Sequence, residues 1–245
     1  MVTRLPGFGG RLARLLEARA VDIGDAAHPA DLAPVLGLHR SDLFVIAGRP
    51  VPEDLAPLDR SASGEVGRLA WSLTYLPRAV AELRRLIESM PQLPRPEPQP
   101  PEPAYHRYPD DEAGALIVRL LHNRNLNWPG AAQMLFGLGG GPMLSAATIG
   151  VIGRGRKALT PELLAGFAAF IDIPRADLSA LAGIDLTRVE TEAHPDAGEA
   201  AALIWSARRL TAGQLRQVRD RAHEIRHERA DELVPGFRCR CPRTC

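Results

Sequence analysis

One stretch decides the fold of this chain: Ser145-Ala-Ala-Thr148-Ile149-Gly-Val-Ile152-Gly-Arg154-Gly155-Arg156-Lys157. A serine at position 145 favours a helix start, because its hydroxyl accepts a hydrogen bond from the free amides of the first turn. Ile149 and Ile152 are three residues apart, so they share one face and are expected to pack on a scaffold. Gly155 permits the left-handed conformation that ends many helices. The stretch predicts a short capped helix with outward residues Ala146, Ala147, Gly150 and Val151.

This stretch lies inside an internal repeat of which only the second copy contains it. Arg14-Leu15-Leu16-x-x-Arg19 recurs as Arg119-Leu120-Leu121-x-x-Arg124, an offset of 105 residues. Arg40-x-Asp42-Leu43-x-x-x-Ala47-Gly48 recurs as Arg175-x-Asp177-Leu178-x-x-x-Ala182-Gly183, an offset of 135 residues. The difference of 30 residues corresponds to a segment running roughly from Asn125 to Arg154. The part that both copies share is therefore expected to be the structural scaffold, and the additional segment is not required for that scaffold.

The composition favours an all-α fold. A chain of 245 residues suits one large or two small domains, and apolar residues recur at helical spacing without an alternating strand pattern. The formal net charge of +1 provides no general attraction to nucleic acid, so any basic surface must be local. No apolar run is long enough to span a bilayer, and residues 1–10 lack a signal-peptide pattern, so we expect a cytoplasmic protein without a membrane partner.

Each copy ends in a helix with an apolar seam. Val80, Leu83, Ile87 and Met90 are spaced three, four and three residues apart, and residues 215, 218, 222 and 225 repeat that spacing. The seam fits packing on the preceding helix of the same copy, with Trp71 or Trp205 as the buried aromatic residue. It also fits a seam between two chains. The short length of the seams favours packing within the chain.

The stretch from Ser145 to Lys157, with the following Thr160-Pro161-Glu162-Leu163-Leu164, resembles the Cro/repressor-like (XRE-type) helix-turn-helix family of DNA-binding proteins. The resemblance covers roughly residues 112–183. It implies five helices: Leu116 to Arg124, Trp128 to Leu135, a recognition helix capped by Ser145, Thr160 to Ile171, and Arg175 to Leu181. In this resemblance Thr148 and Ile149 match the Thr-Ile pair of the family, and Ile152 matches its core anchor.

The resemblance implies a DNA-binding surface on and after the recognition helix. Arg154, Arg156 and Lys157 place three positive charges within four residues, which suits contact with phosphates. The same residues also fit a solvated helix end that is favoured by the helix dipole. The candidate DNA-binding residues are Ser145, Ala146, Ala147, Thr148, Val151, Arg154, Arg156 and Lys157.

Two departures from the family pattern shape the expected function. The outward side chains offer only methyl contacts to base edges, so we expect phosphate contacts and DNA shape to dominate, with Arg154 as the best base-contacting residue. The turn before the recognition helix, Phe136 to Leu144, is longer than usual and rich in glycine and apolar residues. This turn either packs inward or forms a surface for a protein partner.

These observations predict two related helical domains joined by a proline-rich linker. The expected division is residues 1–90, a degenerate repeat that lacks the helix-turn-helix core and serves docking or dimerisation; residues 91–109, an extended linker; residues 110–190, the repressor-like domain; residues 191–233, a helical hairpin; and residues 234–245, a basic tail with cysteines.

Metal and catalytic chemistry are not expected. His223-Glu224-Ile225-Arg226-His227 matches the short zinc-protease pattern, but no third ligand or cleft is evident. Cys239, Cys241 and Cys245 are interpreted as free thiols on the tail, with a metal site as the alternative. Ten arginines against five acids from residue 208 onward would add non-specific affinity for DNA or for an acidic partner.

The sequence therefore predicts a non-enzymatic transcriptional regulator, without metal or cofactor, that binds double-stranded DNA, with a possible homodimer supplying additional contacts. The alternative is an adaptor that keeps the helical bundle and binds a protein through the turn from Phe136 to Leu144. A metalloenzyme built on the histidine pair is the least favoured hypothesis.

Overall fold

The structure, a computed structural model, describes residues 9–22, 28–76, 79–101, 103–104 and 107–233, with side chains described up to residue 228. Within these ranges the regular structure is entirely helical and contains no strand, which confirms the all-α prediction. None of the helices described there is long and apolar enough to cross a membrane.

Among the described residues, the first half contains five α-helices and the second half contains seven. The first five are α1 (Gly9–Ala18), α2 (Ala33–Leu36), α3 (Arg40–Ile46), α4 (Ser63–Leu73) and α5 (Val80–Ser89). The remaining seven are α6 (Ala113–Asn123), α7 (Trp128–Gly137), α8 (Ala146–Gly153), α9 (Pro161–Ile171), α10 (Arg175–Ala182), α11 (Ala197–Ala207) and α12 (Ala212–Leu233). Short 3₁₀ helices lie at Pro29–Leu32, Glu53–Leu55 and Arg60–Ala62.

Local capping chemistry sets several of these boundaries. Asn127 and Thr160 accept hydrogen bonds from backbone amides in the first turns of α7 and α9, and each helix has a proline in its first turn. Gly183 adopts a φ of 67° after α10, which is the left-handed end that glycine allows. The predicted helix starts at Trp128, Pro161 and Arg175 are confirmed.

The repeated helices of the two copies pack across one another. By the repeat, α1 corresponds to α6, α3 to α10, α4 to α11 and α5 to α12. In the structure α1 packs on α10 and α6 packs on α3, while α4 packs on α12 and α5 packs on α11. The terminal helices therefore lie mainly against the opposite copy and not, as predicted, against the preceding helix of their own copy. Of the two tryptophans offered as the buried aromatic residue, Trp71 is 41 % exposed and Trp205 is half-buried.

The same crossing appears in two ion pairs between repeated residues. Arg19 of the first copy pairs with Asp177 of the second, and Arg124 of the second copy pairs with Asp42 of the first. The side chains of Arg124 and Asp42 are almost completely buried, with exposures of 1 % and 0 %. Each copy thus supplies the partner that the other copy requires.

One continuous apolar core takes residues from both halves, from Leu12 on α1 to Ile225 on α12. Two domains with separate cores, joined by a spacer, are therefore not confirmed. The physical reason is the crossed packing, since each terminal helix buries its apolar face on the other copy. The described part of the proline-rich segment is also anchored, because Arg95 donates to the carbonyl of Pro57 at 2.7 Å and Gln99 accepts from the amide of Arg60 at 2.9 Å.

Candidate functional site

The start of α8 is fixed by hydroxyl groups. The Ser145 Oγ accepts a hydrogen bond from the Thr148 backbone amide at 3.3 Å, and it lies 2.9 Å from the Thr148 Oγ1. This geometry confirms the predicted N-cap. Because both hydroxyls take part in the cap, they hold the first turn of α8 in place.

The inner face of α8 is held tightly against α6. Ile149 and Ile152 are 1 % and 2 % exposed, as the spacing predicted. Gly114 on α6 faces the α8 backbone, and a Cβ placed there would lie 2.3 Å from the Ile152 carbonyl oxygen. Only a glycine lets the two helices approach this closely.

Gly150 does not face outward, so that part of the prediction is wrong. It is buried beneath the indole of Trp128, and an added Cβ would lie 2.4 Å from the ring. The helices α7 and α8 pack on one another here, and the absence of a side chain makes room for the indole. The sequence pattern did not reveal this contact because a glycine fits an exposed helix face as well as a close crossing.

The other predicted residues of α8 lie on its outer face. Ala147 is exposed, and Ala146, Thr148 and Val151 are half-buried. Among the described elements, α8 packs chiefly on α6 and α7, which leaves this face uncovered. The side chains of this face are apolar except for Thr148, and the face is bordered by the Ser145 hydroxyl at one end and by cations at the other.

The cations form what we term the basic cluster: Arg154, Arg156 and Lys157. Arg156 and Lys157 are exposed, and Arg154 is half-buried with its guanidinium carbon 6.0 Å from the centre of a Trp128 ring. Within the described part of the chain none of the three forms an ion pair. Gly155 has a φ of 67°, which confirms the predicted helix stop and turns the chain so that both exposed cations follow α8.

One acidic residue lies beside the basic cluster although it is distant in sequence. A Cβ added to Gly155 would lie 2.8 Å from the carboxyl carbon of Glu112, which precedes α6. The cluster therefore carries three positive charges next to one exposed carboxylate. Inspection of the residues around the cluster could not detect this acid, because the packing of α6 on α8 brings it there.

The turn between α7 and α8 divides into an inward and an outward part. Leu138 is 1 % exposed, and its carbonyl accepts a hydrogen bond from the His194 amide at 2.8 Å. Phe136 and Met143 are instead 52 % and 74 % exposed. The middle of the turn, at Leu138 and Gly139, therefore packs inward, and two large apolar side chains on either side of it remain in solvent.

The arginines of α11 and α12 that were expected to add positive charge are partly neutralised. Arg208, directly after α11, is half-buried and donates to the Asn123 Oδ1 at 2.9 Å, and burial lowers its pKa to about 10. Arg219 pairs with Glu65 of α4 at 2.8 Å. Hydrogen bonds to the carboxylates of Glu228, Glu224 and Glu82 raise the pKa of Arg221. These side chains therefore serve packing between helices, and the tail from residue 234 onward lies outside the described residues.

The histidine pair does not form a complete metal site within the described residues. The Nε2 atoms of His223 and His227 lie 3.0 Å apart on the exposed face of α12. No group of three or more metal-ligating side chains occurs in the part of the chain that the structure describes. The alternative with Cys239, Cys241 and Cys245 falls outside that part.

No family model, curated protein or solved structure matches this chain. The resemblance to the XRE-type family therefore depends on the residues from Ser145 to Lys157 and on the order of the helices around them.

Proposed function

We propose that this chain is a DNA-binding transcriptional regulator that presents α8 and the basic cluster to double-stranded DNA. The observation that carries the proposal is the pair of exposed cations, Arg156 and Lys157, directly after a short helix whose outer face is uncovered. A helix followed by cations suits contact with a groove and with the phosphates on its edge.

The chemistry of the outer face favours recognition of the DNA backbone and shape. Ala146, Ala147 and Val151 offer only apolar contact, which distinguishes the thymine methyl group and little else. Arg154 is the arginine nearest to this face and can donate two hydrogen bonds to a guanine edge, and its contact with Trp128 orients it. We therefore expect modest sequence preference and a strong electrostatic contribution.

One chain supplies one such helix, since the first copy lacks the segment that contains α7 and α8. A homodimer would place a second reading helix about one DNA turn away, roughly 34 Å, and would double the number of phosphate contacts. Sedimentation of the chain with a two-site DNA fragment would show whether two chains bind together.

The proposal is tested by the salt dependence of DNA binding. Fluorescence anisotropy with labelled fragments of the source genome is measured over a salt series for the wild type and for a variant with Arg154→Ala, Arg156→Ala and Lys157→Ala. Each lost phosphate contact is expected to reduce the slope of log affinity against log salt by about 1. The triple variant should therefore bind far more weakly at low salt.

A matched control removes the same total charge elsewhere. Arg40→Ala, Arg85→Ala and Arg188→Ala change three exposed arginines that lie on α3, on α5 and after α10. This variant should retain the salt slope and most of the affinity of the wild type. Equal losses in both triple variants would mean that DNA responds to net charge alone, and the proposed surface would then be wrong.

The second candidate function is a protein-binding adaptor, which the exposure of Phe136 and Met143 favours. Large apolar side chains in solvent are typical of interaction sites. This function predicts no salt-dependent binding of DNA and a protein partner that is lost when Phe136→Ser and Met143→Ser are introduced. Affinity purification with the wild type and this double variant, followed by mass spectrometry, distinguishes the two candidates.

A further inference from the structure

Two histidines lie side by side on the outer surface of α12, apart from the surface proposed for DNA. His223 and His227 are both exposed, whereas Ala222 and Ile225 of the same helix are buried. Residues four positions apart lie one turn apart on the same face of a helix. The pair therefore occupies the side of α12 that its packing on α4 and α5 leaves in solvent.

The two imidazoles hold their Nε2 atoms close together. These atoms lie 3.0 Å apart, and the ring planes meet at 83° with their centres 4.4 Å apart. Because both side chains extend from one continuous helix, their spacing is fixed before any ion binds, and the entropic cost of bringing two ligands together is small. The pair thus has the arrangement of a chelate whose donor atoms are already in place.

The distance between the two nitrogens favours certain ions over others. Imidazole nitrogens bind first-row dications at about 2.0 to 2.1 Å. Two nitrogens 3.0 Å apart that contact one ion at about 2.05 Å subtend an angle of about 94° at that ion. This angle is close to the roughly 90° of square-planar and octahedral ions such as Cu²⁺ and Ni²⁺, and it is smaller than the tetrahedral angle of about 109° that Zn²⁺ usually adopts. The general order of affinities for first-row dications also places Cu²⁺ above Zn²⁺.

The carboxylates close to the pair in sequence are engaged with arginines. Asp220 accepts a hydrogen bond from Arg219 at 2.8 Å, and Glu224 and Glu228 accept from Arg221 at 3.0 and 2.9 Å. Among the side chains that the structure describes, no third histidine, cysteine or carboxylate joins the pair in a metal-binding group. The two imidazoles are therefore the protein ligands, and water completes the coordination of a bound ion.

We propose that His223 and His227 form a two-ligand site for a first-row transition-metal dication, with Ni²⁺ and Cu²⁺ bound more tightly than Zn²⁺. Each Nε2 gives its lone pair to the ion, so the proton that one Nε2 donates to the other in the free pair moves through solvent to the Nδ1 of its own ring. The bound ion links two successive turns in the second half of α12.

The site differs from the sequence-based expectation that the chain binds no metal. That expectation asked for the third ligand and the cleft that zinc-protease chemistry requires, and a chelate that only binds an ion requires neither. The site uses no residue of α8 or of the basic cluster, so it goes beyond the proposed function and does not depend on it.

The site is tested by isothermal titration calorimetry of the full chain with NiCl₂ and, separately, with ZnCl₂. The protein is purified without an affinity tag and carries Cys239→Ser, Cys241→Ser and Cys245→Ser, because thiolates are themselves metal ligands. We expect one Ni²⁺ per chain and a weaker affinity for Zn²⁺. Tighter binding of Zn²⁺, or one Ni²⁺ per two chains, would overturn the proposed coordination.

Single substitutions in this background identify the ligands. His223→Ala and His227→Ala should each weaken the binding of Ni²⁺ about tenfold or more, because a lone imidazole loses the advantage of a second ligand on the same helix. His194→Ala removes a half-buried histidine before α11 and should leave the affinity unchanged. Equal affinities in all three variants would overturn the proposal.

A spacing variant keeps the number of histidines and breaks the chelate. His227→Ala combined with Glu228→His places the two histidines five residues apart, and side chains at that separation point about 140° away from each other around the helix. This variant should bind Ni²⁺ as weakly as His227→Ala does. Retained affinity would mean that Ni²⁺ responds to histidine content and not to the pair.

Thermal unfolding supplies a second measurement. All the substituted histidines lie outside the core, so circular dichroism should show folded variants. An ion that binds only the folded chain stabilises it, so Ni²⁺ should raise the midpoint of unfolding in the background protein and in His194→Ala, but not in the spacing variant. An equal rise in the spacing variant would contradict binding at the pair. The DNA titrations are read independently, since neither histidine belongs to the surface that they test.

Discussion

The two crossed ion pairs use equivalent residues of the repeat but lie in different environments. Arg124 binds Asp42 through two hydrogen bonds of 3.0 and 2.9 Å, and both side chains are almost completely buried. Arg19 also binds Asp177 through two hydrogen bonds, from its Nε and Nη2 instead of its two Nη atoms, and the Arg19 side chain is 31 % exposed. The comparison teaches that a duplicated pair keeps its two-bond pairing while its geometry and its surroundings, and hence its contribution to stability, diverge.

The tryptophans of the repeat explain part of this difference. Trp205 covers the buried pair, with its ring centre 5.1 Å from the guanidinium carbon of Arg124. Its counterpart Trp71 on α4 is exposed and contacts Tyr75 instead. The helix α4 packs on α7, which has no counterpart in the first copy. The additional segment of the second copy thus accompanies the loss of symmetry between the copies.

The largest expected effect comes from breaking the buried pair. Asp42→Asn leaves the Arg124 guanidinium without a charged partner in the core, and we expect the free energy of unfolding to fall by about 3 to 5 kcal/mol. Asp177→Asn is the matched control in the equivalent pair, and because Arg19 reaches solvent its cost should be about 1 to 2 kcal/mol. Urea denaturation followed by circular dichroism measures both. Equal losses would contradict the difference in environment.

The second prediction compares glycines at the starts of the equivalent helices α6 and α1. Gly114→Ala places a Cβ 2.3 Å from the Ile152 carbonyl oxygen, so α6 and α8 must move apart. We expect a loss of about 1 to 3 kcal/mol in stability and a weaker affinity for DNA. Gly10→Ala is the control, because nothing lies within 4 Å of its added Cβ and alanine favours a helix. A Gly114→Ala variant as stable as the Gly10→Ala variant would show that α8 does not pack this closely.

His122 of the second copy corresponds to Glu17 of the first copy, which lies 105 residues earlier. Burial lowers the pKa of His122 to about 4 from the usual 6.5, so the unfolded chain binds a proton more readily than the folded chain below pH 6.5. This contribution to stability is complete above pH 6.5 and is lost as the pH falls towards 4. Between neutral pH and about pH 5, this group should lower the free energy of unfolding by about 2 kcal/mol.

His122→Leu removes the group whose protonation makes the free energy of unfolding depend on pH, and it places an apolar side chain at the same position. Urea denaturation of the wild type and the variant at the two pH values gives the difference directly, because the titration of all other groups is common to both. The variant should lose about 2 kcal/mol less than the wild type over this range. Parallel losses in the two proteins would mean that His122 is protonated as easily in the folded chain as in the unfolded chain.

Local sequence chemistry predicted much of the second half. The starts of α7, α9 and α10, the Ser145 cap and the Gly155 stop follow from side chains and glycines that act within one helical turn, and the structure has them. Gly150 and Glu112 were not predictable in this way. Gly150 faces inward because Trp128 packs on it, and Glu112 reaches the basic cluster because α6 packs on α8. Contacts of this kind leave no periodic pattern in the sequence.

The sequence by itself determined the helical class, the repeat and the position of the capped helix with its cations, because capping, periodicity and charge are properties of neighbouring residues. The tertiary structure decided that the two copies cross, that Arg124 finds Asp42 in one core, and that His223 and His227 remain exposed on α12. These outcomes depend on which apolar faces meet. Because equivalent faces of a repeat are similar in sequence, the sequence does not distinguish packing within a copy from packing across the copies. Only the folding of the whole chain decides between them.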